Sequence, residues 1–263
     1  MRHSNCLNCG KSLTDKYCSG CGQKADTHRI SLKHFIFHDV LHGVMHIEKG
    51  MLFTAKQALI RPGKAALDYI AGKRVNYYNI FYFVLILLGV SVVLTHYYNV
   101  LATHIDPSKV YQIEVNDIGA RIKETFHSYG KLFIFLTVPV LAFNSYLIFR
   151  KRRLNYSEHA IISGMFLLGI FLLITIYLAL GYLDLIGLPD WVTWLMNEVP
   201  LYILVIYLTF VYSNAFGKDY RWWVFALRIL AFLFLFALEI FLFLTLLIAA
   251  ITDWQGGEIN FTI

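Results

Sequence analysis

The chain of 263 residues is 58% apolar without counting glycine and only 15% charged, and it carries 21 Phe and 17 Tyr. Soluble domains run to about 45–50% apolar with glycine included and about 25% charged, so a soluble globular class is excluded and a bilayer is the natural sink for the surplus rings. The formal charge is +6 with neutral histidines; its cations stand beside hydrophobic stretches, which points to anionic lipid headgroups and makes nucleic acid an unlikely partner.

Residues 1–27 read as a zinc ribbon. All four cysteines lie here, Cys6 and Cys9, then Cys18 and Cys21, as two CxxC pairs with eight residues between them. Gly10 and Gly22 follow the pairs, so each reads as a tight knuckle in which glycine adopts angles other residues avoid and lets amides approach the thiolates. Four sulfurs suit structural Zn2+, and such a site leaves no open position for a substrate water. With four thiolates and one Zn2+ the net charge of +6 becomes +4. An iron–sulfur centre and a disulfide pair are the alternatives; disulfides need an oxidising compartment, which the topology below denies. So short a ribbon has almost no apolar core, and metal binding supplies most of its folding energy. Met1 to Gln23 holds no apolar signal segment, so insertion rests on internal spans.

Residues 28–77 read as amphipathic interfacial helices. From Ser31, placed as a cap, Phe35, Ile36, Val40, Leu41, Val44 and Ile47 give helical periodicity. His34, His38, His42 and His46 recur every four residues and form a slightly spiralling stripe. One reading is a polar face lying on lipid headgroups. The other is a second metal or pH-responsive site, which would need partners such as Asp39 or His28. Gly50 interrupts, Met51 to Ile60 resumes the periodicity, and Arg61-Pro62-Gly63 opens another short helix, where the missing proline donor costs nothing. Ala71-Gly72 closes it.

Residues 78–263 read as a five-helix transmembrane domain, which makes the expected fold an all-α polytopic membrane protein. The spans are Tyr78 to Tyr98, about Lys131 to Phe149, His159 to Tyr182, Val199 to Phe216 and Trp222 to Ile251. The last exceeds the roughly 20 residues a crossing needs, so it tilts or begins in the interface. Trp191 and Trp194 mark one interface, Trp222 and Trp223 the other. Lys73 and Arg74, the run Arg150 to Arg153, and Lys218 with Arg221 lie on one side. The connection from Leu183 to Glu198 has acids and no Lys or Arg, and the tail after Ile251 is likewise acidic. The positive-inside rule then puts the N-terminus in the cytoplasm and the C-terminus outside. Only the connection from Asn99 to Gly130 is mixed.

Glu239 lies near the middle of the fifth span among Phe, Leu and Ile. An acid at a span centre costs about 2.5–3.5 kcal/mol, so it must be neutralised, paired or facing a cavity. Arg228 on the same helix snorkels rather than reaching it. Asn144, Ser145, Thr175 and Thr209 are expected to hydrogen-bond across the bundle, and His159 is expected at the interface.

The run CLNCG…YCSGCGQK followed by LIRPGKAALDYIAGKRVNYYNIFYF resembles an uncharacterised family of bacterial membrane proteins common in Bacteroidota. The matching residues are Cys6, Cys9, Cys18, Cys21, Gly22, Gln23, Arg61, Pro62, Gly63, Tyr69, Gly72, Lys73 and Arg74, within about Asn5 to Phe83. The resemblance implies an inner-membrane location and a zinc ligand set; it implies no activity.

No convergent acid, base and nucleophile emerge, and no GxGxxG or GxxxxGK[ST] signature is present. The expected function is non-enzymatic: a cytoplasmic ribbon that docks a protein partner or senses the membrane surface. The alternative is a small transporter or channel using Glu239, which carries a homo-oligomer with it.

Overall fold

The computed structural model describes residues 4–25, 50–105, 114–115, 117–251 and 261–262. Two short helices, α1 (Met51–Ile60) and α2 (Pro62–Ile70), precede five long ones: α3 (Ile80–Ile105), α4 (Asp117–Ile148), α5 (Tyr156–Gly181), α6 (Asp190–Phe216) and α7 (Trp222–Ile251). Among the described residues, four stretches are long and apolar enough to cross a membrane: Ile80–Ile105, Ser128–Ile148, Tyr156–Leu185 and Trp222–Ile251. The protein is therefore all-α in its spans and multi-spanning. The expected span Val199 to Phe216 falls inside α6, outside those four.

Local chemistry sets the helix ends. Asn79 accepts the Phe81 and Tyr82 amides and so caps α3. Asn155 and Glu158 form a reciprocal capping box at α5, each side chain taking the other's backbone N–H. Two elements start earlier than hydropathy indicates. Helix α4 begins at Asp117, ahead of Lys131, and α6 at Asp190, ahead of Val199. Hydropathy reports where apolar side chains begin, whereas helical hydrogen bonds continue into polar sequence beyond the bilayer.

Helix α5 is the central post, flanked by α3 and α4 and crossed by α2. Half of its most apolar stretch is inside the protein, against 11% for α7, which leans on α4 at the edge and leaves the rest of its surface to lipid. Phe149, Tyr212, Phe216 and Phe232 stack where α4, α6 and α7 meet. This end of the bundle, which carries the loop 150–153 and the turn at 217–221, is the basic face. At the opposite face β1 (Glu114–Val115) pairs antiparallel with β2 (Phe261–Thr262). The end of the chain thus joins the connection between α3 and α4.

Helices α1 and α2 do not lie free on a surface. They pack as a bent pair against α5 and α6, with Thr54, Gln57, Ala58, Pro62, Gly63, Ala65 and Ala66 buried and Leu52 and Lys56 outward.

Candidate metal centre and its seat

The ribbon is one short loop written twice. Gly10 N–H donates to Cys6 O and Gly22 N–H to Cys18 O; Cys6 N–H donates to Lys11 O and Cys18 N–H to Gln23 O. Both glycines sit at positive φ, +77° and +76°, which is the backbone a knuckle requires. Isolated bridges, Asn5 with Ser12 and Tyr17 with Lys24, close the two loops.

Back to back, the loops bring the four sulfurs within 4.8 Å of one another. Cys6 and Cys21 Sγ are 3.5 Å apart, as are Cys9 and Cys18 Sγ. Sulfurs at the corners of a tetrahedron with ~2.3 Å metal bonds lie about 3.8 Å apart, so the donor set fits a Zn2+ ion. The cysteines are all free of disulfides. The Gly20 amide, donating to Cys18 Sγ, draws that thiol down to about 6. Cys9 stands at about 11, although the Lys11 amide favours its thiolate, because its thiol donates to the Cys18 sulfur. A metal would replace the proton shared between these sulfurs.

The residue after the second knuckle seats the ribbon. Gln23, 4% exposed, donates from Nε2 to Gly72 O at 2.8 Å and accepts the Arg74 amide on Oε1 at 3.3 Å. Both groups are available because α2 ends in a Schellman turn. Gly72 at φ +94° gives its N–H to Tyr69 O, Lys73 gives its N–H to Asp68 O, and the chain then leaves the helix. Leu7 from the first knuckle lies against Gly72, where an added Cβ would stand 2.6 Å from its Cδ1.

Helix α2 is locked to the bundle in turn. Pro62 has no N–H, so Ala58 O at the end of α1 loses its helical donor; the Tyr207 hydroxyl of α6 donates to it at 2.7 Å. Gly169 makes room for that phenol, since a Cβ there would fall 1.7 Å from the Tyr207 oxygen. Gly63 lies directly on α6, where a Cβ would stand 2.3 Å from Val211 O and 2.4 Å from Ala215 N. Asn214 accepts the Lys64 amide at 2.8 Å, and Thr54 accepts the Tyr78 amide at 2.7 Å. Sequence reading names Gly63 and Gly72 but misses Gln23 as a clamp and Tyr207 altogether. Their partners are backbone atoms, which leave no residue pattern.

The other sequence candidates divide. Asn144 of α4 does reach across the bundle, donating from Nδ2 to Glu239 Oε2 at 2.6 Å, while its own Oδ1 has no partner among the described residues. Glu239 is central in the sequence of α7 and lies beside Thr137 and Val140 in the middle of the α4 span, while Asn144, four residues from the end of α4, reaches it from the side of the basic face. Between α4 and α7 this carboxyl borders an otherwise apolar groove of about 430 Å³, lined by Phe133, Val140, Phe236 and Phe243. Arg228 turns away from it, donating to Ile148 O with its guanidinium 4.5 Å over the Tyr220 ring. Thr175 and Thr209 do not bridge helices; each donates to the carbonyl four residues back on its own helix. A lone hydroxyl in lipid finds that acceptor without any neighbour. His159, in the first turn of α5 at the basic face, is buried in protein at 1% exposure and bonded through Nδ1 to Ser145 Oγ at 2.7 Å. Ser163 and Tyr212, 3.2 Å apart, extend this buried polar cluster. The stripe His34, His38, His42 and His46 lies outside the described residues.

The family described as "Protein of unknown function (DUF3667)" matches residues 48–91. That segment holds α1, α2 and the first part of α3, and excludes the cysteines. Neither the curated proteins nor the solved structures return a match. The chain is similar to that family over the segment that joins the ribbon to the bundle.

Proposed function

We propose that this is a non-enzymatic protein of the bacterial inner membrane whose Zn2+-loaded ribbon is a docking module for a cytoplasmic protein partner. Five spans, α3 to α7, carry the chain from a cytoplasmic N-terminus to a periplasmic C-terminus, with the basic face in the cytoplasm. The pairing of β1 with β2 supports that odd number, since it returns the chain's end to the face opposite the ribbon. The observation that carries the reading is the seat. Gln23 fixes the ribbon to α2, and α2 is wedged on α5 and α6, so a load on the ribbon passes into the spans. Tyr17, 61% exposed, with Lys16 next to it in the chain and Lys11 also exposed on the ribbon, offers a basic outer face suited to an acidic protein surface. The transport alternative is less favoured, because the groove beside Glu239 is apolar and its carboxyl is held by Asn144.

The test compares native-membrane pull-downs of the full chain with a variant carrying Ser at all four cysteines and with Tyr17→Ala plus Lys16→Glu. Purified protein is expected to hold one zinc per chain. A discrete cytoplasmic protein should be retained by the parent and lost from both variants. The same partners on all three proteins would remove the docking reading.

A further inference from the structure

Helices α3 and α4 both lean on α5 but scarcely on each other, touching through Phe81 and Phe135 at 5.1 Å between ring centroids. Between them, with α5 as floor, is a cleft of about 260 Å³. Small residues of α5 create it: Ala160 and Gly164 line the floor, and a Cβ on Gly164 would meet nothing closer than Ile80 Cγ2 at 3.5 Å. The first residue of α3 therefore stands opposite the ninth of α5, and one face of the opening turns of α5, with Ser157, Ala160, Ile161 and Gly164, lines the cleft.

The cleft is graded along its length. Tyr156 and Ser157 at the start of α5, with Tyr69 and Asn79, make a polar rim at the basic face. Val84, Val138, Ile161 and Leu167 continue it as an apolar slot. Leu167 is eleven residues along α5 from Tyr156, so the slot runs about 16 Å into the spans. The rim carries a cation: the Arg74 guanidinium lies 5.3 Å over the Tyr69 ring, and its Nε donates to Tyr69 O. Nearby acids are engaged, Asp68 with Arg61 and Lys73, and Glu158 with the Asn155 amide. Water gains no hydrogen bonds in an apolar slot, and the solvent at this depth is lipid.

We infer that this cleft holds one acyl chain of an anionic membrane phospholipid, with its phosphate at the rim formed by Tyr69 and Arg74. The site meets the ribbon's seat only at the Arg74 backbone amide, and its test reads bound lipid and not a protein partner, so its fate is distinguishable from that of the docking reading.

The full chain, purified in neutral detergent, would be exposed to phosphatidylglycerol bearing a photoactivatable group on one chain, and the adducts mapped. Labelling is expected to concentrate on Ile80, Val84, Val138 and Pro139. In Gly164→Leu, whose side chain extends into the slot, it should fall about tenfold while helix content and elution are unchanged. Ala160→Leu fills the same slot and serves if the first variant does not fold. Unlabelled phosphatidylglycerol should compete better than phosphatidylcholine of the same chains, and Arg74→Ala should erase that preference. Labels spread evenly over the outer faces of α3 and α7, and untouched by filling the slot, would mark ordinary boundary lipid and overturn the inference. Competition by glycerol phosphate as strong as by whole lipid would overturn the acyl-chain assignment.

Discussion

Replacing Gly63 by alanine adds one methyl group at the closest approach in the molecule between α2 and α6. The new carbon would stand 2.3 Å from Val211 O, 2.4 Å from Ala215 N and 2.8 Å from Asn214 C, all of them backbone atoms. No rotamer change relieves a clash with backbone, so the helices must part by roughly 1 Å to reach ordinary contact. A gap of 0.5–1 Å forfeits about a quarter to a half of each dispersion contact, and overpacking of this kind costs about 1–3 kcal/mol. The retreat also strains the bonds from the Lys64 amide to Asn214 and from Tyr207 to Ala58 O. Gly164→Ala is the control, because its methyl meets only Ile80 Cγ2 at 3.5 Å. In mid-helix that change should be neutral or stabilising by about 0.5–1 kcal/mol. Unfolding of both variants by sodium dodecyl sulfate titration from mixed micelles, followed by circular dichroism, measures the two effects on one scale. Equal midpoints for Gly63→Ala and Gly164→Ala would refute the packing of α2 on α6.

Gln23→Ala removes both bonds to the Gly72–Arg74 backbone without touching a sulfur. Its zinc content should match the parent, while amide exchange at 72–74 rises to the level seen when a chelator strips the metal; protection that persists in the variant would show that another contact holds the ribbon. Glu239→Gln keeps an acceptor for Asn144 Nδ2 and adds a donor for its Oδ1, which has no partner among the described residues, so stability should hold or rise, whereas Glu239→Ala should lose about 1–3 kcal/mol. Ion flux through Glu239→Gln vesicles below that of the parent would instead favour the transport reading.

The readable parts of this sequence were those whose signal is carried by residue type at fixed spacing. CxxCG occurring twice yields the four-sulfur cluster, because a knuckle is closed by its own backbone. Pro62 and Gly72 mark the start and stop of α2, because each changes the local backbone. The long apolar stretches give spans for the same local reason. What escaped depends on partners far along the chain. The burial of His159 escaped because nothing in its neighbourhood foretells Ser145 and the stacked Phe216 ring. Glu239 is mid-helix by count, but only the fold supplies its partner, Asn144, 95 residues earlier in the chain. Gly169 is one of several glycines in apolar sequence, and only Tyr207 gives it a purpose.

The joints between ribbon, hairpin and bundle share one device. In each, a side chain bonds a backbone group that local geometry has left without a helical partner. Tyr207 takes Ala58 O, orphaned by Pro62; Gln23 takes Gly72 O and the Arg74 amide beyond the Schellman turn; Thr54 takes the Tyr78 amide before α3 begins. Unmet, each such group would be an unsatisfied polar atom in a largely apolar setting, at a cost comparable to a lost hydrogen bond. The hairpin therefore cannot leave its seat one bond at a time without penalty, which makes its docking cooperative with the formation of both neighbours. Because the acceptors and donors are backbone atoms, the identities of Leu59, Lys64 or Leu67 matter little to the joints. The bend at Pro62, the close approach at Gly63 and the left-handed turn at Gly72 matter a great deal. Among the described residues, motion at the cysteine cluster then has a short hydrogen-bonded route into the bundle, through Gln23 and along α2.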